Sequence, residues 1–177
     1  MNTPSKISTV FLLVIAIVFA GCGGGGSQTG STEAAEAPEA SEPAATEDVP
    51  EVAEIVIEGN DLMQFDLNNI EVIEGQKVKL TLKHVGSMSV EVMGHNWVLL
   101  KPGTDIATFG MAAVAEKEND YIPQDLAESV IAFTEVIGGG EEVTIEFEAP
   151  SIGYYKFICS FPGHYGVMQG DFVVSPK

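Results

Sequence analysis

The stretch Phe157-Ile158-Cys159-Ser160-Phe161-Pro162-Gly163-His164-Tyr165-Gly166-Val167-Met168-Gln169-Gly170 places a thiol, an imidazole and a thioether within ten residues. Pro162-Gly163 is a turn signal. A strand ending at Cys159 and another beginning near Met168 are therefore expected to be joined by a compact loop that points His164 back toward the sulfur. A further imidazole, His95 in Met93-Gly94-His95-Asn96-Trp97, lies 64 residues before Cys159. A period of two there puts His95, Trp97 and Leu99 on the core face of a strand that can lie beside the first.

Two imidazoles and a thiolate in a plane, with a distant thioether, is the donor set of blue-copper electron transfer. Cu(I) favours soft, low-coordinate surroundings and Cu(II) favours nitrogen, so ligands fixed on a rigid sheet rearrange little between the two. Taken singly, His95 reads as a satisfied, partly buried histidine, Met168 as core filler and Cys159 as a small buried hydrophobe. The spacing Cys-x4-His-x3-Met with a separate His favours one copper, Cu(II)/Cu(I), per chain. Zinc is disfavoured, because structural zinc rarely takes a thioether. A Cys-His-Asn nucleophile set (Cys159, His164, Asn96) needs a substrate cleft, which strand-turn-strand burial denies it. An exported copper chaperone or storage protein would share the soft ligands.

Outward from this stretch, apolar and polar residues alternate. Val78, Leu80 and Leu82 point in while Lys77, Lys79, Thr81 and Lys83 point out, and Val143, Ile145 and Phe147 repeat the pattern. Both segments read as half-buried antiparallel strands. Further strands are expected at 54–58, 69–73, 88–92, 95–100, 153–159 and 170–174, which makes an all-β sandwich of about eight strands. The alternation lapses from 103 to 130, and the helix formers of 110–117 predict one short helical flap there.

At the other end, Lys6 followed by the uncharged apolar run from Ile7 to Ala20 and then Ala20-Gly21-Cys22 reads as a secretory signal over 1–21. The run is short of the roughly 20 residues of a membrane span. Phe19-Ala20-Gly21-Cys22 resembles a lipobox, in which Cys22 would be acylated. Residues 22–51 hold this cysteine and then Gly, Ser, Thr, Ala, Glu and Pro with almost no large apolar side chain, a linker with a reach of about 30 Å. The folded domain is expected over 52–177. Cys22 and Cys159 are the two cysteines. With Cys22 lipidated or removed, Cys159 has no disulfide partner: either it is buried and inert or something holds its thiolate, and the spacing favours a metal. The net charge of −18 and the absence of arginine argue against nucleic acid. An acidic surface suits basic or polar-faced protein partners, or serves only to keep the protein soluble.

Ile57-Glu58-Gly59-Asn60-Asp61-Leu62-Met63-Gln64-Phe65, Val92-Met93-Gly94-His95-Asn96-Trp97-Val98-Leu99 and Cys159-Ser160-Phe161-Pro162-Gly163-His164 resemble segments of the azurin family of cupredoxins. The resemblance covers nearly the whole folded part and implies a Greek-key sandwich and no enzymatic activity. By position it implies His95, Cys159 and His164 as strong copper ligands, Met168 as a weak axial one and the Gly94 carbonyl as a fifth contact. It further implies that Asn96 and the backbone N–H of Phe161 restrain the loop and tune the sulfur. His84 matches a buried histidine that does not bind the metal. The family's disulfide is missing, its positions falling at Ala53 and Gln76, and the flap between Pro102 and Met111 is slightly shorter.

The resemblance also implies an apolar docking patch of Met63, Met93, Met111, Phe161, Pro162, Gly163 and Val167 around the edge of His164. A lipid-tethered domain of this kind resembles the auracyanins of filamentous anoxygenic phototrophs. That likeness implies a monomer anchored at the extracytoplasmic face of the cell membrane. Its partners would be a membrane quinol-oxidising complex as donor and a cytochrome c or reaction centre as acceptor, in a photosynthetic chain.

Overall fold

The structure, a computed structural model, describes residues 50–177. The signal segment, Cys22 and the linker up to residue 49 lie outside the described residues. The strands in chain order are β1 (Val52–Asn60), β2 (Gln64–Phe65), β3 (Asn69–Ile73), β4 (Lys77–His84), β5 (Val98–Leu100), β6 (Val130–Phe133), β7 (Glu142–Glu148), β8 (Gly153–Ile158) and β9 (Gln169–Ser175). They form two sheets, ordered β2-β1-β4-β7 and β3-β9-β8-β5-β6.

Alternation builds the sandwich. Val78, Leu80 and Leu82 are fully buried, and they join Ile57, Trp97, Leu99, Phe157 and Phe172 in one core. The Trp97 ring stands about 6 Å from those of Phe147, Phe157 and Phe172. On the outer face Lys77–Glu146 and Lys83–Glu142 pair at 2.6 and 3.1 Å, but all four side chains are about half exposed. Such pairs contribute about 0–1 kcal/mol each, whereas burying one leucine contributes about 1.5–3 kcal/mol. The apolar core therefore dominates.

β4 and β7 are antiparallel as expected, and β1 pairs with β4 and β3 with β9 in parallel. The chain crosses to the other sheet between β1 and β4, so β4 returns in the direction of β1. Residues 88–92 do not form a strand: Val90–Met93 is a single helical turn, α1, with Val92 and Met93 N–H both donating to the Ser89 carbonyl. The Gly138–Gly140 loop packs on this segment, bonding Gly139 N–H to the Met88 carbonyl, so no sheet edge is offered to it.

The flap helix, α2, spans Ile106–Ala113 and so begins four residues before the expected 110–117. Asp105 caps it, its carboxylate accepting from Thr108 N–H at 2.7 Å. Gly110 sits mid-helix because the Tyr165 ring presses on it; a Cβ there would run into Tyr165 Cδ1. Finally, β5 is buried on both faces. Leu99 faces the main core, while Val98 and Leu100 pack with Phe109, Ile122 and Ile158 under the flap. His95 precedes the strand, in an isolated bridge with Ile137.

Candidate metal centre

Phe161-Pro162-Gly163-His164 is a turn closed by His164 N–H to the Phe161 carbonyl at 3.0 Å, with Gly163 at φ +86°. Proline followed by a positive-φ glycine is what this reversal requires. Val167 and Met168 N–H then both donate to the His164 carbonyl, at 2.9 and 2.8 Å, which carries Met168 back over one helical turn. Cys159 N–H donates to the Met168 carbonyl at 2.9 Å, joining the ends of β8 and β9.

This loop and the residue before β5 bring the expected side chains together. Cys159 Sγ lies 3.9 Å from His95 Nδ1 and 3.6 Å from His164 Nδ1. The three donor atoms fall within 4.8 Å of one another. Metal bonds of about 2.0 Å to nitrogen and 2.3 Å to sulfur, opened to about 120°, separate sulfur from each nitrogen by about 3.7 Å, so the two sulfur–nitrogen distances suit a shared metal. Met168 is fully buried and packs with Cys159 and Phe161.

Hydrogen bonds set the protonation of each group. His95 Nε2 lies 2.9 Å from the Asn60 carbonyl. A carbonyl only accepts, so Nε2 carries the proton and Nδ1 faces the sulfur with its lone pair free. Burial depresses the pKa of His95, and burial followed by repulsion from His95 and His84 lowers that of His164 to about 4. Both imidazoles are thus neutral, as ligands must be. Burial pushes the Cys159 thiol up to about 12, against the backbone N–H groups of Asn96 and Phe161, which favour the thiolate. A metal cation reverses the balance by taking the proton's place.

Asn96, fully buried, binds the ligand loop through its side chain. Its Oδ1 accepts from Ser160 N–H, and its Nδ2 donates to Ser160 Oγ and to the Asp120 carbonyl, each at 2.8 Å. His84 stacks on His95 at 4.4 Å. Its Nε2 donates to the Met93 carbonyl at 2.8 Å and its Nδ1 accepts from Gly86 N–H at 3.0 Å, which leaves no free nitrogen for a metal. Gly94 is buried beside His95.

The expected docking patch is only partly a surface. Met63, Met111, Gly163 and Val167 are exposed, Met93 and Pro162 are half-buried, and His164 itself is 3% exposed. Phe161 does not belong to the patch: at 6% exposed it packs inward with Tyr121, Cys159 and Met168. The alternation that marks strand faces gives no guide inside a loop. Sequence reasoning missed Asp120 and Tyr121 beside the site; neither lies in a motif or a periodic segment.

Residues 51–175 match the copper binding proteins of the plastocyanin/azurin family, and the chain belongs to that family. It is a blue-copper electron-transfer protein, with one copper as its cofactor and with His95, Cys159, His164 and Met168 in the arrangement of such a site. Among its relatives, auracyanin-A of Chloroflexus aurantiacus is 36% identical over 168 residues, covering 93% of each chain. Azurin-1 of Alcaligenes xylosoxydans xylosoxydans is 42% identical over 118 residues, covering 64% of this chain and 91% of the relative. The solved structure of auracyanin A, described as a "blue" copper protein from the green thermophilic photosynthetic bacterium Chloroflexus aurantiacus, superposes with a TM-score of 0.64 at 32% identity, covering 70% of this chain and 99% of that one.

Proposed function

We propose that this chain is a membrane-tethered carrier of single electrons in a photosynthetic chain, anchored through an acylated Cys22 at the extracytoplasmic face. It takes electrons from a quinol-oxidising complex and passes them to a cytochrome c or reaction centre, and catalyses no reaction itself. His95, Cys159 and His164 would hold the copper strongly and Met168 weakly, with the Gly94 carbonyl as a further contact. Bound copper supplies a one-electron couple.

The observation that carries this reading is a ligand set locked beneath an apolar rim. Three ligands are fully buried, His164 is 3% exposed, and the ligand loop is tied down by its own turn and by Asn96. Locked ligands keep the same positions in both redox states, which is what fast transfer needs. Met63, Met111, Gly163 and Val167 are exposed, and with half-buried Pro162 and Met93 they form the surface that docks a partner. Brief, weak encounters suit such a small apolar patch. A store or chaperone must release its ion, which this enclosure opposes. A thiol pushed to about 12 beside an asparagine committed to Ser160 and Asp120 does not support a nucleophile either.

The tether draws support from the extent of the likeness to auracyanin-A. It spans 168 residues, more than the 128 of residues 50–177, and so reaches into the segment that holds the signal and linker motifs. Two measurements test the proposal. The full chain loaded with Cu(II) should be intensely blue with a reversible one-electron couple. In cells, the wild-type chain should sediment with membranes and Cys22→Ser should not. A colourless, redox-silent protein overturns the carrier, and a soluble wild-type chain overturns the tether.

A further inference from the structure

Asp120 and Tyr121 are consecutive non-glycine residues in the left-handed region, at φ 52° and 56°. A side chain crowds the following carbonyl oxygen there, so surrounding contacts must hold the pair in place. The Asp120 carbonyl accepts from Asn96 Nδ2 at 2.8 Å, and its carboxylate Oδ1 accepts from Val136 N–H at 2.9 Å. Val136 packs on the cluster that contains Cys159 and Met168. The Tyr121 ring is 8% exposed and meets Phe161 edge-on, with centroids 5.1 Å apart.

Asn96 and Phe161 flank Cys159: the Asn96 side chain holds the Ser160 amide next to it, Phe161 packs in the same cluster as the sulfur, and their backbone N–H groups favour its thiolate form. Each strained residue thus braces one of the two donors. We propose that Asp120 and Tyr121 are positioning residues of the copper site, which hold the Asn96 and Phe161 donors on the Cys159 sulfur and so set the reduction potential. Donors withdraw charge from the thiolate, which favours the reduced, less positive ion. Loosening them lowers the potential. The inference rests on the copper site described above, with a readout that needs no copper.

The test uses the full chain. In Asp120→Gly the backbone relaxes and the carboxylate is lost; in Asp120→Asn both the acceptor and the tolerance of positive φ remain. Copper-loaded Asp120→Gly should show a lower potential and a displaced visible band. In the copper-free protein its Ser160 amide should exchange about tenfold faster, the scale of one hydrogen bond. Asp120→Asn should restore all three. Tyr121→Leu, which probes the second donor whether or not Asp120→Gly folds, should also lower the potential. Val72→Ala, in the main core, should lose thermal stability without moving the potential. Wild-type potential, band and Ser160 exchange in Asp120→Gly, or a wild-type potential in Tyr121→Leu, would overturn the proposal. An equal potential change in Val72→Ala would do the same.

Discussion

Cys159 and Met168 are joined through their backbones, the amide of one donating to the carbonyl of the other at 2.9 Å. A thiol just after β8 and a thioether just before β9 are thereby fixed relative to each other, before any metal acts on them. The fold, and not the ion, assembles this half of the site.

Replacing the sulfur should therefore spare the structure. Cys159→Ser changes one atom in a fully buried position, and the loop retains its turn and the Asn96 bonds. The protein is expected to fold, as read by circular dichroism, and to show no blue colour with Cu(II). A blue Cys159→Ser protein would rule out a copper–thiolate bond.

Met168→Leu is close to volume-conserving and should cost less than about 1.5 kcal/mol. The three strong ligands remain, so the colour is expected to persist. Loss of a donor in favour of an apolar group favours the reduced ion, and the potential should rise in a potentiometric titration. An unchanged potential would mean that the thioether does not reach the metal.

Copper-free protein should weaken in mild acid. His164 has its pKa held near 4, below the ordinary 6.5, and His95 is shifted in the same direction. Between these values the unfolded chain binds the protons that the folded one refuses, so stability falls as the pH drops from about 6.5 to 4. Urea midpoints measured across that range should decline, and less so in a His164→Gln variant. Flat midpoints would show that the imidazoles are not buried as described.

Two glycine replacements should separate strain from crowding. A Cβ at Gly163 meets nothing within 4 Å but sits at φ +86°, so Gly163→Ala should lower stability by about 1–2 kcal/mol while keeping the colour. At Gly110 the Tyr165 ring is in the way. Gly110→Ala should displace the flap, seen as faster amide exchange across Ile106–Ala113. Equal protection in the two variants would contradict the close contact.

The ligand loop was legible because its chemistry and its turn residues are local: Pro162-Gly163 makes the reversal that His164 needs, and sulfur donors flank it. The sandwich was legible wherever one face is wet, as at Val78, Leu80 and Leu82. It was less so for β5, buried on both faces, and for the two-residue β2 and the short β6, which carry too few residues for a period to show. Val90–Met93 alternates like a strand, but no neighbouring strand pairs with it. Asp105 was a readable cap, and missing it moved the helix by a turn. Asp120 and Tyr121 act through backbone conformation and distant partners, which spacing in sequence does not encode.

β1 begins at Val52 beside Lys77 and ends at Asn60, whose carbonyl orients His95. Eight steps of extended chain separate these points by about 26 Å. Pro50, Glu51 and Lys177 line a common cavity at the starting end. Both ends of the described chain therefore serve as handles remote from the metal, so that fixing the protein by either one to an electrode would leave its redox-active tip facing the solution.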